Sequence, residues 1–163
     1  MPPKNVIIAL VAAALVAILA VVLLKRREAD DPATLIRAAL DRAASAAEKQ
    51  DVAGVMEIVS TTFKTPEMSR DDVKRILFAQ LRSEAWKRVV LLDVDVRMAP
   101  KDPVRAKVTM KAVLAKGESK DGAWRDLAPT DASIYRFDLD FLLEDGDWRV
   151  RQAAYRRAGL AEP

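Results

Sequence analysis

The uncharged run from Val6 to Leu24 constrains this chain more than any other feature, and it contains neither Gly nor Pro. As a helix, nineteen residues reach about 28 Å, close to the ~30 Å hydrocarbon core of a bilayer. A secretory signal has a shorter apolar region and a small-residue cleavage site. Here the run ends in Val21-Val22-Leu23-Leu24 and passes directly into Lys25-Arg26-Arg27. A buried core helix rarely stays uncharged for so long. The run therefore predicts a retained single-pass membrane anchor over 1–27. Val6, Leu10, Leu15, Leu19 and Leu24 would lie in the bilayer, with Lys25, Arg26 and Arg27 as a basic flank at the headgroups.

Charge near the two ends does not settle the orientation. Lys4 precedes the run, while Lys25, Arg26, Arg27 and, further on, Arg37 follow it. Counted literally, this leaves the C-terminal part in the cytoplasm. An uncleaved signal anchor with a short tail inside would export it. Both orientations stay open.

The chain has 27 basic and 24 acidic residues, a net charge of +3. Four of the basic residues lie before Glu28, where there is no acid, so the remainder carries 23 basic against 24 acidic residues. The soluble part thus lacks the basic field that nucleic-acid binding requires, and no nucleic-acid partner is expected. Neither Cys nor His occurs. Disulfides, thiolate chemistry and the commonest general base are excluded. No metal-ligating cluster, phosphate-binding Gly loop or nucleophile elbow is present, so no metal or cofactor is expected.

After a short juncture, 28–32, the pattern turns helical. Asp31-Pro32 reads as an N-cap and first helical Pro. An Ala-rich helix over Ala33–Gln50 follows, with Leu35, Ile36, Ala39, Leu40, Ala43 and Ala47 at helical spacing. Asp51 is expected to cap a second helix from Val52 to Phe63. Ser69 and Asp72 form a capping-box pattern that opens a third, running towards Ser83. From Trp86 the period becomes alternating. Val90, Leu92, Val94 and Val96 are expected to share one face of a first strand, with Asp93, Asp95 and Arg97 on the other. Ala99-Pro100-Lys101-Asp102-Pro103 reverses the chain. Val104, Ala106, Val108, Met110, Ala112 and Leu114 alternate along a second strand. Lys116–Thr130 is a polar connection bearing Trp124. Tyr135, Phe137, Leu139, Phe141 and Leu143 mark a third strand, and Asp145-Gly146 a tight hairpin into a fourth, Asp147–Arg157.

Three helices followed by four antiparallel strands make an α+β domain over 33–157, a curved sheet with helices on one face, with 158–163 as a tail. The domain resembles the nuclear transport factor 2-like superfamily, the cystatin-like α+β cone. The features that carry the resemblance are the first helix closing on Ala46-Ala47-Glu48-Lys49-Gln50-Asp51 and a short helix bearing Val55, Ile58, Val59 and Phe63. A final hairpin adds Phe137-x-Leu139-x-Phe141 and Asp145-Gly146-Asp147-Trp148-x-Val150. The resemblance does not identify a subfamily. It admits isomerases, dehydratases and cyclases with carboxylates in the cone mouth. It also admits single-pass, non-enzymatic members that hold partners at the bacterial inner membrane.

Asp93, Asp95, Asp138 and Asp140 are the carboxylates an enzyme could use. Each alternates with apolar residues, as on a solvated sheet face balanced by Lys107, Lys111 and Arg136. A catalytic carboxylate should instead interrupt an apolar face, where burial raises its pKa. The nearest interruption is Gln152, between Val150 and Ala154, and it does not titrate. No catalytic residue is therefore assigned. Trp124 and Tyr135 are the residues expected at a partner surface or cavity mouth. Arg149, Arg151, Arg156 and Arg157 read as a mixed-charge surface facing the acids of the third strand. The expected role is a membrane-held, non-enzymatic interaction or accessory domain whose partners are the bilayer and a protein, self-association remaining open. An apolar-ligand carrier, lipid binder or isomerase-like or dehydratase-like enzyme is the alternative.

Overall fold

Asp31 starts the first helix, α1 (Pro32–Glu48), by accepting a hydrogen bond from the Thr34 amide at 3.0 Å. This is the N-cap that Asp31-Pro32 predicts. The computed structural model describes residues 31–83, 88–116 and 132–159. The membrane run Val6–Leu24, its basic flank Lys25-Arg26-Arg27 and Trp124 lie outside the described residues. Among the described residues, no helix is long and apolar enough to cross a membrane. The chain divides into two units, Met1–Leu35 and Ile36–Pro163. The second carries α1 beyond its first turn, the remaining helices and the whole sheet.

Two further helices follow, α2 (Val52–Met56) and α3 (Arg70–Ser83). Asp51 caps α2, accepting from the Gly54 amide at 3.0 Å. A Cβ on Gly54 would sit 2.6 Å from Asp51 Oδ2 and 2.9 Å from Ala46 Cβ. Glycine is thus needed where α2 turns back against α1. The apolar spacing predicts helix as far as Phe63, but α2 ends at Met56. The backbone beyond it is recruited elsewhere: Ser60 donates to the Val150 carbonyl at 2.9 Å and Val150 to the Ile58 carbonyl at 2.7 Å. Long-range pairing overrides local helical spacing here, while Val59 and Phe63 still reach the core. At α3, the Ser69 amide donates to Asp72 Oδ2 at 2.9 Å and the Asp72 amide to Ser69 Oγ at 3.3 Å. Both halves of the expected capping box are present.

The strands are β1 (Arg88–Ala99), β2 (Asp102–Ala115), β3 (Ala132–Glu144) and β4 (Asp147–Arg157). They form one antiparallel sheet in the order β1-β2-β3-β4. Asp145 and Gly146, with φ of 52° and 87°, make the tight β3–β4 turn. The exposed edge of β4 is partly covered by the Val59–Val150 bridge. Ile36 and Leu40 of α1, Met56 of α2, and Val59 and Phe63 pack on Ala106, Val108, Met110, Leu139, Phe141, Trp148 and Val150. The helices therefore cover one face of the sheet.

Two bulges change which side chains reach that face. In β1, Leu92 pairs with Lys111 but Asp95 with Thr109, so Asp93 and Val94 together oppose Met110. Asp93 takes the extra residue's left-handed conformation, φ 53°. Leu91, Val94, Val96 and Met98 consequently face the core. Val90 and Leu92, expected beside Val94 and Val96, fall on the opposite face, paired with Val113 and Lys111. In β4, Asp140 pairs with Gln152 but Phe141 with Val150. Ala153 joins the core side, while Gln152 and Ala154 stand opposite Asp140 and Asp138. Gln152 therefore does not interrupt the apolar face. Strict alternation misses both changes, because one added residue inverts the parity of everything beyond it.

Candidate functional site

β1 carries Asp93 and Asp95 and β3 carries Asp138 and Asp140, and all four carboxylates lie away from the helical cover. Asp95 binds Arg97 Nε at 2.7 Å, and Asp138 accepts from Thr109 Oγ1 at 3.1 Å. Asp140 pairs with Lys107 and Gln152 across the strands. Asp93 Oδ2 lies 3.0 Å from Lys111 Nζ. A polar concavity of about 380 Å³ runs along this face, bounded by Asp93, Asp95, Arg97, Lys107 and Arg136. The expected solvated, balanced surface is correct for most of it. Lys111 differs: its side chain is 9% accessible.

The face beneath the helices ends in three aromatic rings. Tyr135 lies 6.4 Å from Phe137 and 6.3 Å from Tyr155, centroid to centroid, and Phe137 stacks on Tyr155 at 6.0 Å. Tyr135 is half-buried, whereas Tyr155 is 55% exposed. Of the three rings, Tyr155 is the most exposed. A concavity of about 550 Å³ joins Thr65 and Pro66 to Val108, Leu139 and Ala153, and its wall also carries Lys107, Asp138, Asp140 and Gln152.

The four arginines of the last strand do not form one patch. Arg149 pairs with Leu142 near the turn, whereas Arg156 and Arg157 pair with Arg136 and Tyr135 at the far end. Arg156 stands seven positions beyond Arg149 along β4, about 23 Å at ~3.3 Å per residue. Arg149 instead borders a third concavity, of about 770 Å³, between α1, α2, α3 and the β3–β4 turn. Arg42, Arg70, Lys74 and Phe78 also line it. Sequence reasoning does not assemble this group, since its members come from four segments. The signal that was available is the i, i+4, i+8 spacing of Arg70, Lys74 and Phe78 on α3. Among the described residues, no group of three Asp or Glu side chains could hold a metal ion.

The sequence matches no family model, and no curated protein matches it. Solved structures do match its architecture. One is an uncharacterised protein with a cystatin-like fold from Caulobacter vibrioides, at 16% identity and TM-score 0.57, covering 77% of this chain and 89% of that one. A nuclear transport factor 2-like protein of unknown function from Pseudomonas putida matches at 12% identity and TM-score 0.58, over 78% of this chain and 94% of the other. A scytalone dehydratase candidate from Novosphingobium aromaticivorans matches at 12% identity and TM-score 0.56, over 84% and 86%. At these identities the likeness concerns the fold. The described domain has the cystatin-like, nuclear transport factor 2-like α+β fold.

Proposed function

We propose that this chain is a membrane-held binding domain, anchored through 6–24 and acting as a non-enzymatic interaction or accessory module. The observation that carries this reading is the position of Asp93, Asp95, Asp138 and Asp140. Strand pairing puts Asp95, Asp138 and Asp140 on the face opposite Val108, Leu139 and Phe141. The Asp93 carboxylate bonds Lys111 on that same outer face. An acid–base carboxylate works where its substrate is held and its pKa is tuned by burial. The helix-covered face offers such a place, but none of these four carboxylates belongs to the cluster packed there. The anchor rests on the uncharged length of 6–24.

Photo-cross-linking tests the reading. A photoreactive residue replaces Tyr155 in the full chain, expressed in the cells that produce it. The expected result is a discrete adduct with a second protein in the membrane fraction, lost when 6–24 is deleted. A chain that stays in the soluble fraction with 6–24 intact would refute the anchor. Adducts unchanged by the deletion would refute the need for tethering. A second reading, a small ligand in the cone, is favoured by the concavity of about 550 Å³ whose wall combines Val108 and Leu139 with Asp138 and Asp140. Extraction of the purified chain with organic solvent, followed by mass spectrometry, tests that alternative.

A further inference from the structure

We propose that the groove bounded by α1, α2, α3 and the β3–β4 turn binds a small amphiphilic anion, a phosphate or carboxylate head on an apolar body. The groove holds about 770 Å³, within the range of organic-ligand sites. A bare oxyanion would fill little of it. This site shares no lining residue with the concavity beside Val108 and Leu139.

Charge supplies the first argument. Arg42, Arg70, Lys74 and Arg149 line the groove against two carboxylates, Glu57 and Asp147. Asp147 is already engaged, 3.6 Å from Arg149 Nη2. Arg42, Arg70 and Lys74 make no ion pair among the described residues. Elsewhere, cations such as Arg97, Arg105 and Lys111 have a carboxylate within 4.0 Å. The groove is thus a local excess of positive charge on a domain whose soluble sequence is nearly neutral.

Unmet hydrogen-bonding capacity is the second argument. Arg70 Nε and Arg149 Nε are both buried, and neither has a hydrogen-bond partner. The two side chains come from α3 and β4 and line the same groove. A buried donor without an acceptor is disfavoured. One oxyanion between the two guanidinium groups would supply acceptors to both, in the forked geometry that arginine favours. The amide end of α3 is not the recognition element, because Ser69 and Asp72 already cap it.

The apolar body follows from what flanks the cations. Phe78 is 51% exposed and lies two turns along α3 from Arg70. Trp148 and Met56, both buried in the core, also reach the groove. An alkyl or aryl group attached to the anion would cover the Phe78 ring and remove apolar surface from water.

The test titrates hexyl phosphate and inorganic phosphate into the full chain in phosphatidylcholine nanodiscs, with calorimetric readout. Hexyl phosphate is expected to bind at least about tenfold more tightly than inorganic phosphate. The double change Arg70→Gln with Arg149→Gln should weaken hexyl phosphate by about tenfold or more. Arg70→Lys with Arg149→Lys keeps the charge without the Nε donors and should fall between. Phe78→Ser should weaken hexyl phosphate while leaving inorganic phosphate unchanged. Arg105→Gln, outside the groove, should alter neither. Thermal melts verify that each variant is folded. Discs containing phosphatidylglycerol separate two sources of the anion. Competition with hexyl phosphate assigns the site to a lipid headgroup, and no competition assigns it to a soluble anion. Hexyl phosphate bound equally by the folded double variant would overturn the proposal, as would failure of the folded parent chain to bind it.

Discussion

Lys111 Nζ lies 3.0 Å from the carboxylate of Asp93, a residue whose backbone is left-handed at φ 53°. The two facts have one origin. The extra residue in β1 takes the conformation that Asp and Asn tolerate better than other non-glycine residues. From there its side chain reaches the cation on β2. The lysine is 9% accessible and the aspartate 70%, so solvent screens the pair from one side only. Asp93→Asn keeps the backbone preference and removes the charge. It should lower stability by about 1–2 kcal/mol in a urea titration. Asp93→Val loses the charge and also places a β-branched side chain at positive φ, so it should cost more. Equal midpoints for the two variants would argue against strain at the bulge.

Gly54→Ala should destabilise the chain by about 1–3 kcal/mol. The added methyl would stand 2.6 Å from Asp51 Oδ2 and 2.9 Å from Ala46 Cβ. The carboxylate would have to leave the Gly54 amide it now caps. Adding Ala46→Gly relieves one of the two contacts and should recover part of the loss. Denaturation midpoints of the single and double variants check this.

Asp72 gives a pH signature. Hydrogen bonds from Ser69, first its side chain and then its backbone, hold the Asp72 carboxyl down from 3.8 to about 2, with Arg75 adding to the shift. A carboxylate whose pKa is lower in the folded state stabilises the fold above its unfolded pKa. Its contribution is full above about pH 4 and is lost as pH falls through 2. Asp72→Asn should therefore reduce the acid sensitivity between pH 4 and 2 while lowering stability at neutral pH. Acid-unfolding curves followed by circular dichroism would show a difference that shrinks as pH falls. A constant difference would contradict the assignment.

Ser60 has no solvent exposure, and its hydroxyl donates to Glu144 Oε1 while accepting from the Thr62 amide. This contact joins the segment after α2 to the end of β3. Ser60→Ala leaves the Thr62 amide and Glu144 without that partner and should cost about 1–3 kcal/mol. Glu144→Gln retains an acceptor and should cost less. Thermal melts of both variants decide the order.

Much of the fold could be read locally. The caps at Asp31, Asp51 and Ser69 and the turn at Asp145-Gly146 depend on residues within three positions of each other. The polar placement of Asp138 and Asp140 follows from alternation within β3, which has no bulge against β2. The α2 end was not readable in this way. Val52–Phe63 keeps helical spacing, yet Val150, about ninety residues away, takes the backbone of Ile58 and Ser60. The basic groove was hidden for the same reason, as Arg42, Arg70 and Arg149 meet only after α1, α3 and β4 are assembled.

Residue order alone therefore settles element type, helix starts, tight turns and the uncharged length of 6–24, because these depend on side chains a few positions apart. Only the tertiary structure decides strand parity at Asp93 and Gln152, the burial of Lys111 and the gathering of cations beside Phe78. Each of those depends on a partner distant in the chain, and one residue of register inverts a face.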